Sequence, residues 1–416
     1  MPDQPDDTRP SAGKDIRETS VAQVMTSTGI HKHPTAFLNT GLPVLQIALN
    51  VELMTANLGP LLEPLASSGG PPAVTYARLL AYKQGNRGLI RYELTGTAPD
   101  RVVFGKLYPD TNQAVRVYET MRVLWADVFA DDPRLHVPRP LGCVPELSML
   151  VYVPAEGRSL DEAVAGEQAL QFMDLAGEWL GRLHRGRLPL DRRLHIATEL
   201  VNVQAWATLI GQKYPEHAEA AAHIARQLKE RASKLQLEAE VPIHKDFHYG
   251  HILVDGGLTV IDFDEMRLGD PNFDLAHFCA NLHLLAYRKN NSPFQFSALQ
   301  GVFLSAYARQ TGWQPNERFV LFYAYTCLKI AKQLCTLRGL RPRPEGEDQR
   351  QQVQLMIEQG LAALPPDAAK QLSSRFATLI MESPTAEKLA TLPPDRAKQL
   401  SSKFATLIME LPRDEG

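Results

Sequence analysis

The sequence predicts an α+β fold in which a small antiparallel sheet with one helix precedes a mainly helical part. Three observations predict it. Runs rich in β-branched and aromatic residues, Val74 to Leu79, Leu89 to Leu94 and Arg101 to Tyr108, are crowded into the first part of the chain. Later, apolar residues recur three and four apart, as in Met173, Ala176, Leu180 and Leu183. Inside that helical part lies one β-rich stretch, Val241 to Asp255 and then Leu258 to Glu265, with the turn Asp255-Gly256-Gly257 between two apolar runs.

Composition narrows the class. The chain has 416 residues, enough for two or three domains and an ample core. A net charge of −3 argues against a nucleic-acid surface or a polybasic membrane anchor. Cys143, Cys279, Cys327 and Cys335 are scattered without C-x-x-C spacing, as expected of buried thiols in a reducing compartment. No stretch approaches the ~18 continuous apolar residues of a membrane span. The start, Met1-Pro2-Asp3-Gln4-Pro5, has no charged-then-apolar signal pattern, so a cytoplasmic protein is expected.

The chain divides into five segments. Residues 1–35 are polar and aperiodic, and no regular structure is expected there. Residues 36–72 read as a helical cap, with Val44, Leu45, Ala48 and Val51 and then Leu58, Leu61, Leu62 and Leu65. The breaker Ser67-Ser68-Gly69-Gly70-Pro71-Pro72 ends it. Residues 73–153 carry the sheet. Its first two strands flank Lys83-Gln84-Gly85-Asn86-Arg87-Gly88, where glycines let backbone N–H groups approach an anion. Lys83 and Arg87 suit a phosphate there, and equally a solvated turn. In the third strand Val102, Phe104 and Lys106 share one face. A lysine on an apolar face calls for a compensating phosphate or carboxylate, because an unpaired buried ammonium is costly. Val115 to Trp125 reads as the helix of this segment.

Residues 154–338 are mainly helical. Ser159 is the expected N-cap of a helix with Asp161 and Glu162 in its first turn. The Met173–Leu183 stripe, one or two helices over 199–236, a stripe of Leu275, Phe278, Leu282 and Leu285, and a long apolar helix from Phe319 to Leu337 follow. Residues 339–416 comprise a charged linker and a duplicated helical tail. Leu364 to Glu382 recurs as Leu392 to Glu410, offset by 392 − 364 = 28 residues, with changes only at Ala368/Arg396 and Arg375/Lys403. Each copy carries a Leu, Phe, Leu, Ile stripe after Pro-Asp, and two copies are fewer than the ~3 a free-standing solenoid needs. They read as a helix packed on the body or, alternatively, as a self-association or partner-docking module over 364–410.

The chemistry concentrates in the hairpin. Its turn brings Asp246 and Asp262 toward one end with His251 between them. Two carboxylates so placed suit a hard cation such as Mg²⁺, one holding the metal while the other orients a hydroxyl. The plain alternative is that each aspartate caps a strand. A zinc cluster of His244, His248 and His251 is a further alternative, although no fourth ligand stands out.

The motifs His244-Lys245-Asp246, four residues, His251, then Ile261-Asp262-Phe263-Asp264, then Gly269-Asp270-Pro271 with Asp274-Leu275-Ala276, resemble those of the aminoglycoside phosphotransferase and choline kinase group of small-molecule kinases. The loop is also similar to that of maltokinase-like proteins. Lys245 stands where the family mostly has Gly, and His251 where it has the metal-binding Asn. The resemblance covers about residues 75 to 335 and implies a two-lobed protein-kinase-like fold. It implies that Asp246 is the catalytic base and Asp262 a metal ligand. His251 then binds metal, contacts a phosphate or does neither. Lys106, held by Glu119 of the following helix, would meet the nucleotide phosphates beneath the Lys83–Arg87 turn. Backbone groups at Val151 to Val153 would bond an adenine edge, and Asp270 and Asp274 would brace the catalytic loop. The implied function is phosphorylation of a hydroxyl on an aminoglycoside, sugar or amino alcohol, with ATP (or GTP) and Mg²⁺. The alternative is a nucleotide-binding regulator or pseudokinase acting through its tail. No Ala-Pro-Glu with a long activation segment points to a protein kinase.

Overall fold

A computed structural model describes residues 44–67, 70–83, 87–99, 101–235, 240–289, 293–336 and 347–372. The expectations for residues 1–35, the linker at 339–346 and the second tail repeat fall outside these residues.

Two lobes are built around two apolar clusters, the larger of which reaches into the sheet lobe through Tyr108, Val117, Met121 and Leu150. In the first, strands β1 (Ala73–Lys83), β2 (Arg87–Thr95), β3 (Val102–Leu107), β5 (Pro140–Val144) and β6 (Met149–Tyr152) form an antiparallel sheet in the order β1-β2-β3-β6-β5. Helices α1 (Leu45–Ala48) and α2 (Val51–Leu62) cover its outer face. Asn50 caps α2, its side chain accepting from Leu53 N at 2.9 Å. Met54, Leu58 and Leu62, four residues apart, then share a buried stripe against Ile90, Tyr92 and Val103. The phenol of Tyr92 donates to Ala48 O at 2.7 Å and ties this cap to the sheet. Strand alternation divides β3. Val103 and Leu107 face the helical cap, while Phe104 and Lys106 face the cleft on the opposite side.

The strands β1 and β2 run longer than their apolar cores, pairing out to Lys83 opposite Arg87. The ladder continues because its backbone bonds do not depend on the polar side chains at its open end. Helix α3 (Thr111–Val123) starts four residues before the expected stretch, since Asp110 caps it by accepting from Gln113 N at 2.9 Å.

The second lobe is helical: α4 (Ala169–Arg185), α5 (Val203–Lys213), α6 (Ala218–Ala232), α7 (Asn272–Arg288), α8 (Pro293–Thr311), α9 (Glu317–Thr336) and α10 (Glu347–Ala362). Ser159 occupies an N-cap position, but only of a four-residue turn, Leu160–Ala163, and its hydroxyl donates to Asp161 instead of capping the backbone. No described helix is long and apolar enough to cross a membrane. Within the lobe, β4 (Leu135–His136), β7 (Arg158–Ser159), β9 (Ile252–Val254) and β10 (Leu258–Val260) form a small sheet, and β8 (Val241–Ile243) pairs with β11 (Arg267–Gly269). The expected hairpin is β9–β10, with Leu258 opposite Val254 and Val260 opposite Ile252. The start of the first tail repeat lies on the body: Leu364, Ala368, Ala369 and Leu372 join its core. The rest of the repeat, with the expectation of self-association, lies beyond the described residues.

Trp179 of α4 is the plate beneath the hairpin. It is fully buried, stacks on Phe129 at 4.7 Å and Phe247 at 5.7 Å, and donates from Nε1 to His136 O at 3.1 Å. Phe247 lies between Asp246 and His248, so this stack sets the floor of the loop. Trp179→Ala should therefore cost about 3–5 kcal/mol, read as a lower urea midpoint with unchanged secondary structure before the transition.

Candidate active site

The loop after β8 is held by one carboxylate. Asp274, in the first turn of α7, accepts from His244 N at 2.6 Å and Lys245 N at 2.8 Å. It also lies 3.2 Å from Nε2 of His184, whose Nδ1 is 2.9 Å from the Tyr307 hydroxyl. Lys245 has φ +68°, the left-handed region where glycine is at ease. A lysine there costs about 1 kcal/mol or more. Its side chain is tied down, Nζ lying 2.9 Å from Glu199, which also accepts from the Tyr325 hydroxyl at 2.8 Å. Burial would raise the Glu199 carboxyl, but Lys245 keeps it below its ordinary value.

His244 joins this loop to the next strand. Its buried Nε2 faces Ile261 O at 3.1 Å, and a carbonyl can only accept, so Nε2 carries the proton. Asp262 follows at once, also left-handed at φ +67°. Backbone strain of this kind is retained where surrounding contacts over-determine it.

Asp246 lies among imidazoles. Its Oδ1 is 3.3 Å from Nε2 of His277, and its Oδ2 is 3.6 Å from Nδ1 of His251 and 3.9 Å from Nε2 of His248. Burial alone would raise this carboxyl. The His277 hydrogen bond and the facing His248 and His251 rings instead hold it well below the usual carboxylate range. Burial in turn lowers His248 and His277, which favours neutral rings at neutral pH.

The tautomers follow from the partners. His248 Nδ1 accepts from Gly250 N at 3.0 Å, so its proton is on Nε2. His251 Nδ1 lies 2.9 Å from Asp246 O and must donate there. Its Nε2 lies 3.7 Å from Asp262 Oδ2. Two cis ligands about 2.1 Å from one cation stand about 3 Å apart, so this pair fits a divalent ion after a small adjustment. The alternative zinc trio is not assembled. His244 is committed to Ile261 O, and the group whose donor atoms lie within 4.8 Å of one another is Asp246, His248 and His251. Within it, His248 would have to give up its bond from Gly250 to ligate through Nε2.

Across the cleft, Lys106 Nζ lies 2.9 Å from Asp262 Oδ1 and 2.7 Å from Asp264 Oδ2. Burial would lower this ammonium, but Asp262 and Asp264 together hold it well above its ordinary value. Burial likewise would raise Asp262, and Lys106 and His251 hold it below its ordinary value. Asp264 is the hub of the network. It is 2% exposed, accepts from the Tyr108 hydroxyl at 2.7 Å, and pairs with the Arg87 guanidinium. Burial and the Asp264 charge both raise the Tyr108 phenol, which therefore stays a neutral donor. Beyond these charges the cleft is an apolar slot lined by Phe104, Leu150, Leu253 and Ile261.

Asp246, His251, Asp262, Lys106 and Arg87 are thus gathered at one place, with Lys83 at the strand end opposite Arg87. Two expectations need correction. Glu119 does not hold Lys106: it pairs with Arg122 at 2.9 Å on a half-exposed face. On α3 the buried positions are Ala114, Val117, Thr120 and Met121, and Glu119 falls outside that stripe. Nor is Val153 a hinge donor, because its N–H is given to Arg139 O at 2.9 Å. Val151 is enclosed between β3 and β5 with its side chain in the cap cluster. Pro154 has no N–H, so the next backbone donor at the rim of the slot is Ala155. Asp264 is taken up by Lys106, Arg87 and Tyr108. Glu265 pairs with Arg267 at 2.6 Å.

Sequence reasoning missed Tyr108 and His277. Signals existed for both: Tyr108 is two residues beyond Lys106 on one strand face, and His277 is three beyond Asp274 on one helix face.

Two outcomes follow for the purified protein. Asp264→Asn leaves Lys106 and Arg87 short of a partner and should cost about 3 kcal/mol in urea unfolding, whereas Tyr108→Phe, which removes one neutral donor, should cost about 1 kcal/mol. Stability should also fall in mild acid. Burial lowers His244, His248 and His277 below the ordinary imidazole value of 6.5, and lowers His283 to about 4. Below pH 6.5 the unfolded chain binds protons on these rings that the folded chain does not, so stability is lost from there down to about pH 4. Calorimetry between pH 7 and pH 5 should show a falling Tm, with a shallower fall for His283→Gln; a pH-independent Tm would contradict the assignment.

The phosphotransferase enzyme family matches residues 82–315, more than half of the chain. Among solved structures the chain is similar to an amicoumacin kinase in complex with AMP-PNP and Ca²⁺, at 13% identity over 81% of this chain and 97% of that one, with a TM-score of 0.50. It is also similar to a spectinomycin phosphotransferase in complex with ADP and spectinomycin, at 13% identity over 74% and 98% of the two chains, with a TM-score of 0.49. A choline kinase from Streptococcus pneumoniae gives 17% identity over 75% and 98%, with a TM-score of 0.47. No curated protein matches the chain in sequence. The chain belongs to the phosphotransferase enzyme family and has its two-lobed kinase-like fold.

Proposed function

We propose that this protein transfers the terminal phosphoryl group of ATP or GTP to a hydroxyl group of a small molecule. One observation carries the reading. His251 touches both aspartates, Nδ1 donating to Asp246 O and Nε2 facing Asp262 Oδ2, while Lys106 meets Asp262 from the opposite lobe. Groups suited to act as base, metal ligand and phosphate-binding cation thereby share one cleft, and family membership supports phosphoryl transfer as the chemistry they would serve.

The acceptor oxygen would form a bond to the terminal phosphorus as the bond to the bridging oxygen breaks, and the nucleoside diphosphate would leave. The acceptor proton goes to Asp246 or through it to water. Asp246 is a weak base, since its surroundings hold it low, so its main contribution is to orient the hydroxyl for in-line attack. His277, on the other carboxylate oxygen, fixes the direction in which Oδ2 is presented. Lys106 and Arg87 are the cations a triphosphate would meet, and both are preorganised by Asp264. The base would enter the slot between Phe104, Leu150, Leu253 and Ile261, with Ala155 at the rim. A divalent cation at Asp262 and His251 would supply charge neutralisation of the phosphate oxygens.

Turnover of ATP and GTP by the full chain, against aminoglycosides, sugars and amino alcohols, tests the reading and identifies the acceptor. Asp246→Asn should reduce turnover by about 10³-fold while leaving nucleotide binding by calorimetry unchanged. A wild-type protein that binds neither nucleotide with any divalent cation would defeat the proposal.

A further inference from the structure

We infer that the cation site of this chain prefers a first-row transition ion, of the Co²⁺, Fe²⁺ or Zn²⁺ kind, over Mg²⁺. The inference rests on the phosphotransfer reading of the cleft and specifies the ion that accompanies the nucleotide. Its source is the donor set. Mg²⁺ demands hard oxygen ligands and gives up water reluctantly. Imidazole nitrogen suits later divalent ions, whose affinity for a given nitrogen–oxygen site rises along the first row. Here one of the two protein donors is an imidazole nitrogen, His251 Nε2, 3.7 Å from Asp262 Oδ2.

The ring is prepared for ligation. Histidines that bind metal through one nitrogen almost always donate the other N–H to a carbonyl or carboxylate, which fixes the tautomer and raises the basicity of the ligating atom. His251 has this arrangement, with Nδ1 donating to Asp246 O at 2.9 Å. The ring is 3% exposed and cannot easily turn away: its centroid lies 4.1 Å from that of His248 and 6.2 Å from that of His244. Its neighbours lack this capacity. His244 Nε2 is protonated toward Ile261 O, and His248 accepts at Nδ1 from Gly250 N. His251 is therefore the nitrogen donor with the correct tautomer next to Asp262.

The test compares Co²⁺ and Mg²⁺ as partners of AMP-PNP in binding to the full-length protein. The affinity ratio, corrected for the same ratio with free AMP-PNP, should favour Co²⁺ by at least about tenfold and should collapse in His251→Asn, which supplies an amide oxygen. A second readout needs no variant. In the Co²⁺·AMP-PNP complex the buried Nδ1–H should give a hyperfine-shifted proton resonance that is present in H₂O and lost in D₂O. Nucleotide binding with no cobalt preference and no shifted resonance would overturn the inference and leave phosphotransfer standing. Failure to bind AMP-PNP with either ion would remove both.

Discussion

Much of this protein depends on the carboxylate of Asp274. Fully buried on α7, it accepts from two consecutive backbone N–H groups, those of His244 and Lys245, and meets the His184 ring of α4. A carboxylate taken out of water is tolerated only when such donors satisfy it, and the same donors then become fixed. The loop that carries Asp246 therefore has one conformation, even though Lys245 must sit at φ +68° to reach it. The strain at one residue is offset by charge-assisted bonds at the next element. That is how a lysine persists at a left-handed position where glycine is at ease.

From this anchor the site is arranged by charge balance across the cleft. The sheet lobe brings Lys106, Tyr108 and Arg87, and the hairpin brings Asp262 and Asp264. Two carboxylates against two cations leave little net charge in the slot, which lets Lys106 and Asp262 stay ionised despite burial. The partner of Lys106 thus comes from the strand end of the other lobe. It does not come from α3, whose apolar stripe leaves Glu119 on the half-exposed side with Arg122. A triphosphate entering the slot would exchange protein carboxylates for phosphate oxygens around cations already in place, with little reorganisation.

The aromatic floor and the imidazole ring above it divide the work. Trp179, Phe247 and Phe263 supply packing that keeps the loop from sagging into the helical lobe. His251, His248 and His277 surround Asp246 with rings that burial keeps neutral in the case of His248 and His277. The first set is sensitive to cavities and the second to acid, so the site should fail differently under the two stresses.

Local signals determined a good deal by themselves. Alternation and period separated the sheet part from the helical part, because side-chain period is a property of a few neighbouring residues. The Asp255-Gly256-Gly257 turn set the β9–β10 register, and a lone lysine on an apolar strand face marked Lys106 as a residue in need of a partner. What only the tertiary structure decided is who that partner is. Lys106 and Asp262 are 156 positions apart, and no local pattern carries information across such a span. The rotation of α3 about its axis turned Glu119 away, a backbone bond to Arg139 removed Val153 from the rim, and a carbonyl acceptor chose the tautomer of His251. Each of these depends on packing between elements distant in sequence, where a shift of one residue or one rotamer exchanges one partner for another.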